Sequence, residues 1–282
     1  MMDGMPEGDS VFNTAARLRA ALAGSELTRC DLRVPKLATV DLSGEVVETV
    51  QPRGKHLLTR FSNGWTLHSH LRMEGAWKIF KPGEPWRGGP AHQIRAILGT
   101  ARHTTVGYRL PVLELLRTAE ESRVVGHLGP DLLDPEWTPA SADEAVHRLR
   151  ADPRRPIGEA LLEQRNLAGI GNIYKSELCF LSGVTPWTEV NDVPDLWHLV
   201  AQARRLLLAN SERPIRTTTG ETRPGRTLWV YGRRHNPCLR CGTPVRSVNE
   251  GLGAERVAYW CPNCQHGPGP HHQQAGWTPV QA

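Results

Sequence analysis

The sequence predicts an α+β chain of several parts: an N-terminal β-sandwich with flanking helices, a helical domain centred on a helix, two turns and a second helix, and a small cysteine-bound hairpin at the C-terminal end. Three observations predict it. Residues 27–108 fall into short runs rich in Val, Leu, Ile, Thr and Trp, broken by Gly and Asn. Residues 131–210 carry helical periodicity, with breaks at Ala151-Asp-Pro153, Leu167-Ala-Gly169 and Gly183-Val-Thr-Pro186. Cys238-Leu-Arg-Cys241 and Cys261-Pro-Asn-Cys264 form two Cys-x-x-Cys pairs separated by nineteen residues. At 282 residues and 39% apolar content the chain can bury one or two ordinary cores and a small stapled unit. The boundaries this reading sets are 5–125, 126–228 and 229–266, followed by a flexible tail over 267–282 rich in His, Gln, Gly and Pro.

The first element is a helix over Ser10 to Ala23. Val11, Ala15, Leu18 and Leu22 share one face, Asp9 is the expected N-cap and Gly24 follows the end. Glu45 to Val50 and Lys55 to Phe61 read as strands, and Ser62-Asn63-Gly64 as the hairpin turn after the second, since Asn-Gly tolerates positive φ at both central positions. In the helical domain Leu196, Leu199, Val200, Ala203 and Leu207 make an amphipathic helix. Asn166-Leu-Ala-Gly-Ile-Gly-Asn172 separates two helical stretches, Pro156 to Gln164 and Ile173 to Leu181. Such a double turn offers backbone N–H groups at a helix N-terminus, where a phosphate binds. A helix hairpin in which Gly only permits close packing fits the same residues.

The four cysteines have the spacing of a tetrahedral thiolate site for Zn²⁺, two ligands from each of two tight turns. Two disulfides or redox thiols are the competing reading. No secretory pattern opens the chain, which favours a reducing, cytoplasmic compartment and free thiols. Four thiolates close the coordination sphere, so one zinc here folds a zinc-ribbon hairpin and does no chemistry. Cys30 and Cys179 are expected as small buried hydrophobes. No apolar run approaches the ~20 residues that span a bilayer, so a soluble chain with no membrane partner is expected.

Charge is concentrated around that hairpin. Arg204 to Arg256 holds eleven arginines, no lysine, no aspartate and four glutamates, an excess of seven, whereas the whole chain is +5. Guanidinium groups pair bidentately with phosphate and displace its counterions, which points to nucleic acid. A solvated arginine-rich surface is the bland alternative in a chain with 29 Arg and five Lys, and composition does not decide between them.

Met5-Pro-Glu-Gly-Asp9, Arg53-Gly-Lys-His-Leu-Leu58, His70 to Gly75, Leu128-Gly-Pro-Asp131, Leu167 to Glu177, Tyr231-Gly-Arg-Arg234 and the four-cysteine site stand in one order. In that order they resemble the formamidopyrimidine-DNA glycosylase and endonuclease VIII family over about residues 5 to 266. Lys55 to Gly64 followed by Trp65-Thr-Leu-His-Ser-His looks closer to bacterial endonuclease VIII. The resemblance implies the helix-two-turns-helix domain and a bacterial, nucleoid-associated monomer acting on double-stranded DNA with damaged bases or abasic sites. It also implies a bifunctional glycosylase and abasic-site lyase for oxidised bases, pyrimidines above all.

The resemblance further implies site residues. Pro6, freed by loss of Met5, is the expected nucleophile: a chain-terminal amine has a pKa of ~8 and is partly neutral near pH 7. Glu7 is the expected general acid at the sugar ring oxygen. Lys55 is expected to contact phosphate from a strand at the sandwich edge and to assist catalysis in the active site, and Asn172 and Arg256 to grip the phosphate at the lesion. Arg72 and Met73, with Leu71 behind them, are candidates to fill the gap left by an extruded base. Lys55 as an exposed strand lysine, Met73 as core packing and Glu177 as an exposed helix glutamate are the plain alternatives. The Arg-Arg-Phe element of the purine-directed branch is not found near Val106 to Pro111, which favours pyrimidines. As numbered, Met1 to Gly4 precede Met5 and would make Pro6 an internal amide; because the motif resumes in full at Met5, Met5 is the expected start. A formamidopyrimidine or 8-oxoguanine glycosylase is one rival reading, and a noncatalytic binder of damaged DNA, if residues 1–4 are retained, is the other.

Overall fold

The computed structural model describes residues 6–249 and 257–270. It divides into two compact units, one ending at Asp134 and one beginning at Pro135. Among the described residues no helix is long and apolar enough to cross a membrane.

The first unit opens with α1 (Gly8–Leu22), which buries Val11, Ala15, Leu18 and Leu22 along one face as the periodicity requires. The N-cap is Glu7 and not Asp9: the Glu7 N–H donates to Ser10 Oγ at 2.9 Å. Ser10 lies three residues beyond Glu7, where a capping partner is needed, whereas the residue three beyond Asp9 is Phe12.

Eight strands follow: β1 (Arg29–Leu32), β2 (Val47–Arg53), β3 (His56–Phe61), β4 (Trp65–His70), β5 (Ala76–Phe80), β6 (Ile94–Gly99), β7 (Thr104–Tyr108) and β8 (Val112–Arg117). They form two four-stranded sheets, ordered β1-β6-β7-β5 and β2-β3-β4-β8, with antiparallel neighbours throughout. One core joins α1 to both sheets: Val11, Leu18 and Leu22 meet Val50, Leu57, Phe61 and Leu67 of one sheet and Trp77, Ala96 and Leu98 of the other. The two-sheet sandwich expected from the strand pattern is therefore present. A register shift between Ile94 and Ala96 puts Ile94 and Ile97 in a second cluster with Phe80, Val106 and Tyr108, while Ala96 and Leu98 stay in the first. Alternation sends Ala96 and Leu98 to one face and Ile97 to the other, and the bulge brings Ile94 onto the face of Ile97.

The hairpin turns set the register. At Ser62-Asn63-Gly64 only Gly64 takes positive φ (76°), and its N–H donates to Phe61 O at 3.0 Å. The connection is thus a three-residue turn ending in a left-handed glycine, and not the two-residue turn with both centres left-handed that Asn-Gly alone suggests. Between β2 and β3 the chain turns in two residues, Gly54 and Lys55, with Arg53 paired to His56 and Gly54 at φ 55°. Lys55 therefore stands at a hairpin tip and not on the strand where the sequence placed it, because the glycine breaks the run one residue earlier.

After β8, Glu121 at the start of the single-turn α2 (Ser122–Val125) pairs with side chains of β3 and β4. Glu121 accepts from Arg60 Nε (2.8 Å) and Nη2 (2.6 Å) and from Thr66 Oγ1 (2.7 Å).

The second unit holds α3 (Pro139–Arg150), α4 (Ile157–Leu162), α5 (Asn172–Leu181) and α6 (Leu196–Ser211), then β9 (Arg246–Asn249) paired antiparallel with β10 (Val257–Trp260). Asp195 caps α6 by accepting the His198 N–H at 2.8 Å, and Leu196, Leu199, Val200, Ala203 and Leu207 are all buried. Residues 163–171 between α4 and α5 form the double turn. Gln164 holds it together, donating to Leu162 O and Ile170 O at 2.9 Å each and accepting the Gly169 N–H at 3.1 Å. Gly169 at φ 108° makes the second bend.

Candidate nucleic-acid and catalytic site

Pro6 is half-buried and immediately precedes α1; Glu7 is 0% exposed at the helix N-cap. The sequence thus places a fully buried carboxylic acid beside the expected nucleophile. Met5 and Arg256 lie outside the described residues, as do His271, His272, Gln273 and Gln274 of the tail. The start of the tail is tied back, with Thr185 Oγ1 donating to Pro268 O at 2.7 Å.

Lys55 owes its position to a long-range tether. The N–H of Gly54 donates to Asp131 Oδ2 at 2.6 Å, and Asp131 Oδ1 accepts the Leu133 N–H at 3.0 Å. Arg53 adds an ion pair to Asp134 at 3.0 Å. Burial raises the Asp131 carboxyl above its ordinary value, and the two N–H bonds oppose that rise. The Leu128-Gly-Pro-Asp131 motif is thereby explained as an anchor for the lysine hairpin.

The loop joining β4 to β5 carries Arg72, Met73 and Glu74 exposed at its tip, while Leu71 is buried in the core. Met73 is 37% exposed, so its reading as core packing is wrong. Arg72 adopts a left-handed φ of 47°, and its N–H donates to His70 Nδ1 at 2.9 Å. Gly75 N–H closes the loop onto Leu71 O at 2.8 Å, and a Cβ on Gly75 would fall 2.5 Å from that oxygen, so only glycine fits. Arg109 Nε donates to Glu74 O at 3.1 Å and its Nη1 to Gln93 Oε1 at 2.6 Å.

Beneath that loop lies a histidine cluster that sequence reasoning missed. His56 faces His70 across β3 and β4, with ring centroids 4.9 Å apart, and His56 Nδ1 is 2.8 Å from His68 Nε2. Desolvation, then neighbouring positive groups, press His56 down to about 3 and His70 to about 4; burial lowers His68 as well. The signal was available, because the Ser62–Gly64 turn fixes which residue of β3 faces which residue of β4.

In the second unit, Asn172 is the first residue of α5 and 1% exposed. Its Nδ2 donates to Val257 O at 3.0 Å, while Oδ1 is buried and has no hydrogen-bond partner among the described residues. The double turn and the residue adjoining Arg256 are thus in contact. Glu177, one face further along α5, is fully buried, which overturns its reading as an exposed glutamate. Its Oε1 accepts Val230 N–H and Tyr231 N–H at 2.9 Å each, and its Oε2 accepts Trp229 N–H at 2.7 Å and the Thr218 hydroxyl. Burial pushes this carboxyl up, against the four bonds.

Those bonds seat the zinc hairpin. Cys238 and Cys261 share a core with Phe180, Val230 and Val245. Arg233 donates from Nη1 to Trp229 O and from Nη2 to Pro237 O, both at 2.8 Å, so it is structural, whereas Arg234 is exposed. The four sulfurs of Cys238, Cys241, Cys261 and Cys264 lie within 4.8 Å of one another, with separations of 3.9 Å (238 to 264) and 3.5 Å (241 to 261). A tetrahedron with Zn–S near 2.3 Å has edges of about 3.8 Å. The residues fit one structural Zn²⁺ as the sequence predicts.

Residues 5–109 match the formamidopyrimidine-DNA glycosylase N-terminal domain, residues 128–211 the formamidopyrimidine-DNA glycosylase H2TH domain, and residues 236–267 the zinc finger found in FPG and IleRS. A curated Streptomyces coelicolor relative named probable endonuclease 8 2 is 63% identical over 94% of this chain and 96% of its own length. The Mycolicibacterium smegmatis DNA-(apurinic or apyrimidinic site) lyase Nei2 is 51% identical over 93% of this chain and 99% of its own. Escherichia coli endonuclease 8 is 34% identical over 93% and 100%. A crystal structure of Lactococcus lactis formamidopyrimidine-DNA glycosylase bound noncovalently to DNA with an abasic site is similar in fold, with a TM-score of 0.74 at 23% identity, covering 93% of this chain and 100% of that one. Sequence motifs, fold, zinc site and relatives agree: the chain belongs to the formamidopyrimidine-DNA glycosylase and endonuclease VIII family.

Proposed function

We propose that this protein removes oxidised pyrimidines from duplex DNA and cuts the strand at the resulting abasic site, with Pro6 as nucleophile and Glu7 as acid. A DNA glycosylase and abasic-site lyase of base excision repair is the activity its relatives carry in common. The observation that carries the finer reading is the fully buried carboxyl of Glu7 directly after Pro6.

The chemistry follows from those two groups. With Met5 removed, the neutral secondary amine of Pro6 attacks C1′ and the damaged base departs. Glu7 protonates the ring oxygen as the C1′–O4′ bond opens, leaving an iminium between Pro6 and C1′. The positive nitrogen acidifies the C2′ proton; its loss expels the 3′ phosphate, and a second elimination expels the 5′ phosphate. Water then releases the sugar fragment and restores the amine.

The remaining residues hold DNA. Lys55, fixed at its hairpin tip by the Gly54 to Asp131 bond, contacts phosphate. Asn172 and Arg256 grip the phosphate at the lesion, and the contact of Asn172 with Val257 supports that pairing. Arg72 and Met73 enter the gap left by the extruded base. Arg109, held by Glu74 and Gln93, braces the loop that carries them, and the lack of an Arg-Arg-Phe element near Val106 to Pro111 supports a pyrimidine preference over a purine one. The protein acts as a cytoplasmic monomer, and the four-part division at 125, 228 and 266 describes its functional modules.

Borohydride trapping on abasic duplex tests the reading. The chain starting at Pro6 gives a covalent adduct and the Pro6→Thr variant does not; with residues 1–4 retained, no adduct forms, and an adduct in that form overturns the mechanism. Parallel excision assays on thymine glycol and 8-oxoguanine duplexes test the pyrimidine preference, which fails if the purine is removed faster.

A further inference from the structure

We propose that His70 is a positioning residue for the loop at Leu71 to Gly75: its neutral imidazole, accepting the Arg72 N–H, holds Arg72 and Met73 in the geometry that fills the gap behind an extruded base. The inference rests on the gap-filling role given to that loop above.

A left-handed φ is unfavourable for a residue bearing a Cβ, so Arg72 at 47° needs an external tie. His70 Nδ1 supplies it at 2.9 Å. The far side of the loop is tied independently, by Gly75 to Leu71 and by Arg109 to Glu74. Among the described residues, the Arg72 N–H itself is tied by His70.

Because Nδ1 accepts, the proton of neutral His70 resides on Nε2; a second proton would remove the acceptor. The surroundings oppose that second proton. Lys55 approaches from the β2–β3 turn and Arg72 from the loop itself, and both disfavour a charged ring. His56 of β3 packs edge-on at 4.9 Å, His68 of β4 lies behind it, and His127, from the segment after α2, comes within 6.2 Å of His56. Glu114 of β8 pairs across from His68, and its charge acts on that ring. With His70 pressed to about 4, the acceptor persists through the neutral range.

The test compares wild type, His70→Leu, His70→Asn and Met73→Ala on two substrates: a duplex carrying an oxidised pyrimidine, measured as single-turnover excision, and a pre-formed abasic site in single-stranded DNA, measured as strand cleavage. The single strand needs no gap filled. Asn places Oδ1 close to the position of Nδ1 and forms the same bond two residues along. The expected result is that His70→Leu lowers duplex excision about ten-fold or more, leaves single-strand cleavage at the wild-type rate, and is rescued by His70→Asn. Equal loss on both substrates, or an Asn variant as poor as Leu, overturns the proposal. Wild-type duplex excision by His70→Leu alongside an impaired Met73→Ala overturns it while sparing the gap-filling role. An unimpaired Met73→Ala overturns that role, and this proposal with it.

Discussion

The buried carboxylate of Asp131 accepts the backbone N–H of Gly54 across 2.6 Å, joining positions 77 residues apart. Gly54 forms the first half of a two-residue turn whose second half is Lys55, so the bond fixes the base of the lysine that is proposed to meet phosphate.

Removing that anchor tests how far it governs Lys55. Asp131→Ala leaves two N–H groups without their charged acceptor, at a cost of about 2–4 kcal/mol. Urea unfolding should show that loss, and DNA affinity at a stability-matched temperature should fall as it does for Lys55→Ala. An Asp131→Ala protein with full affinity would show that the tether does not place the lysine.

Glu177 and the Trp229–Tyr231 segment make the corresponding bond in the second unit. Glu177→Ala strands three buried backbone donors and should cost about 3–5 kcal/mol. Glu177→Gln should cost less but more than 1 kcal/mol or so, since its NH₂ must face donors on one side. Denaturation midpoints check the order. Zinc release on dilution should be faster in both variants, because Val230 shares the core of the cysteine hairpin.

Metal removal follows from the same core. Stripping Zn²⁺ leaves four thiols within 4.8 Å with nothing to bind them. Chelation should abolish DNA binding and change the fluorescence of Trp229 and Trp260, and added Zn²⁺, but not Mg²⁺, should restore both.

The histidine cluster gives a pH dependence of definite sign. His56 and His70 are held at about 3 and about 4, below the ordinary 6.5. Between those limits the unfolded chain binds more protons than the folded one, so their contribution to stability is complete above pH 6.5 and declines as pH falls toward 4. The slope is at most roughly 1.4 kcal/mol per pH unit for each ring. Unfolding free energies at pH 7.5, 6 and 5 should fall along that course in wild type and more shallowly in a His56→Asn variant.

Where the sequence was legible, the signal was local. The cysteine spacing, the α6 stripe from Leu196 to Leu207 and the Gly-rich double turn each lie within one element, and each is found as read. The misses depend on partners far away. Glu177 looks like a surface residue until Thr218 and residues 229–231, 41 to 54 positions on, close over it. Lys55 leaves its strand at the turn Gly54 opens, and Asp131, 77 positions on, holds that turn. The histidines converge only once the Gly64 turn sets His56 against His70. Asp9 lost the cap to Glu7 through a single neighbour, Ser10.

The most direct measurement is the mass of the peptide joined to DNA after borohydride reduction on an abasic duplex. The account predicts a protease fragment beginning at Pro6, with the sugar remnant on its N-terminal nitrogen. A remnant carried by Lys55, or by a fragment that still includes residues 1–5, would contradict it.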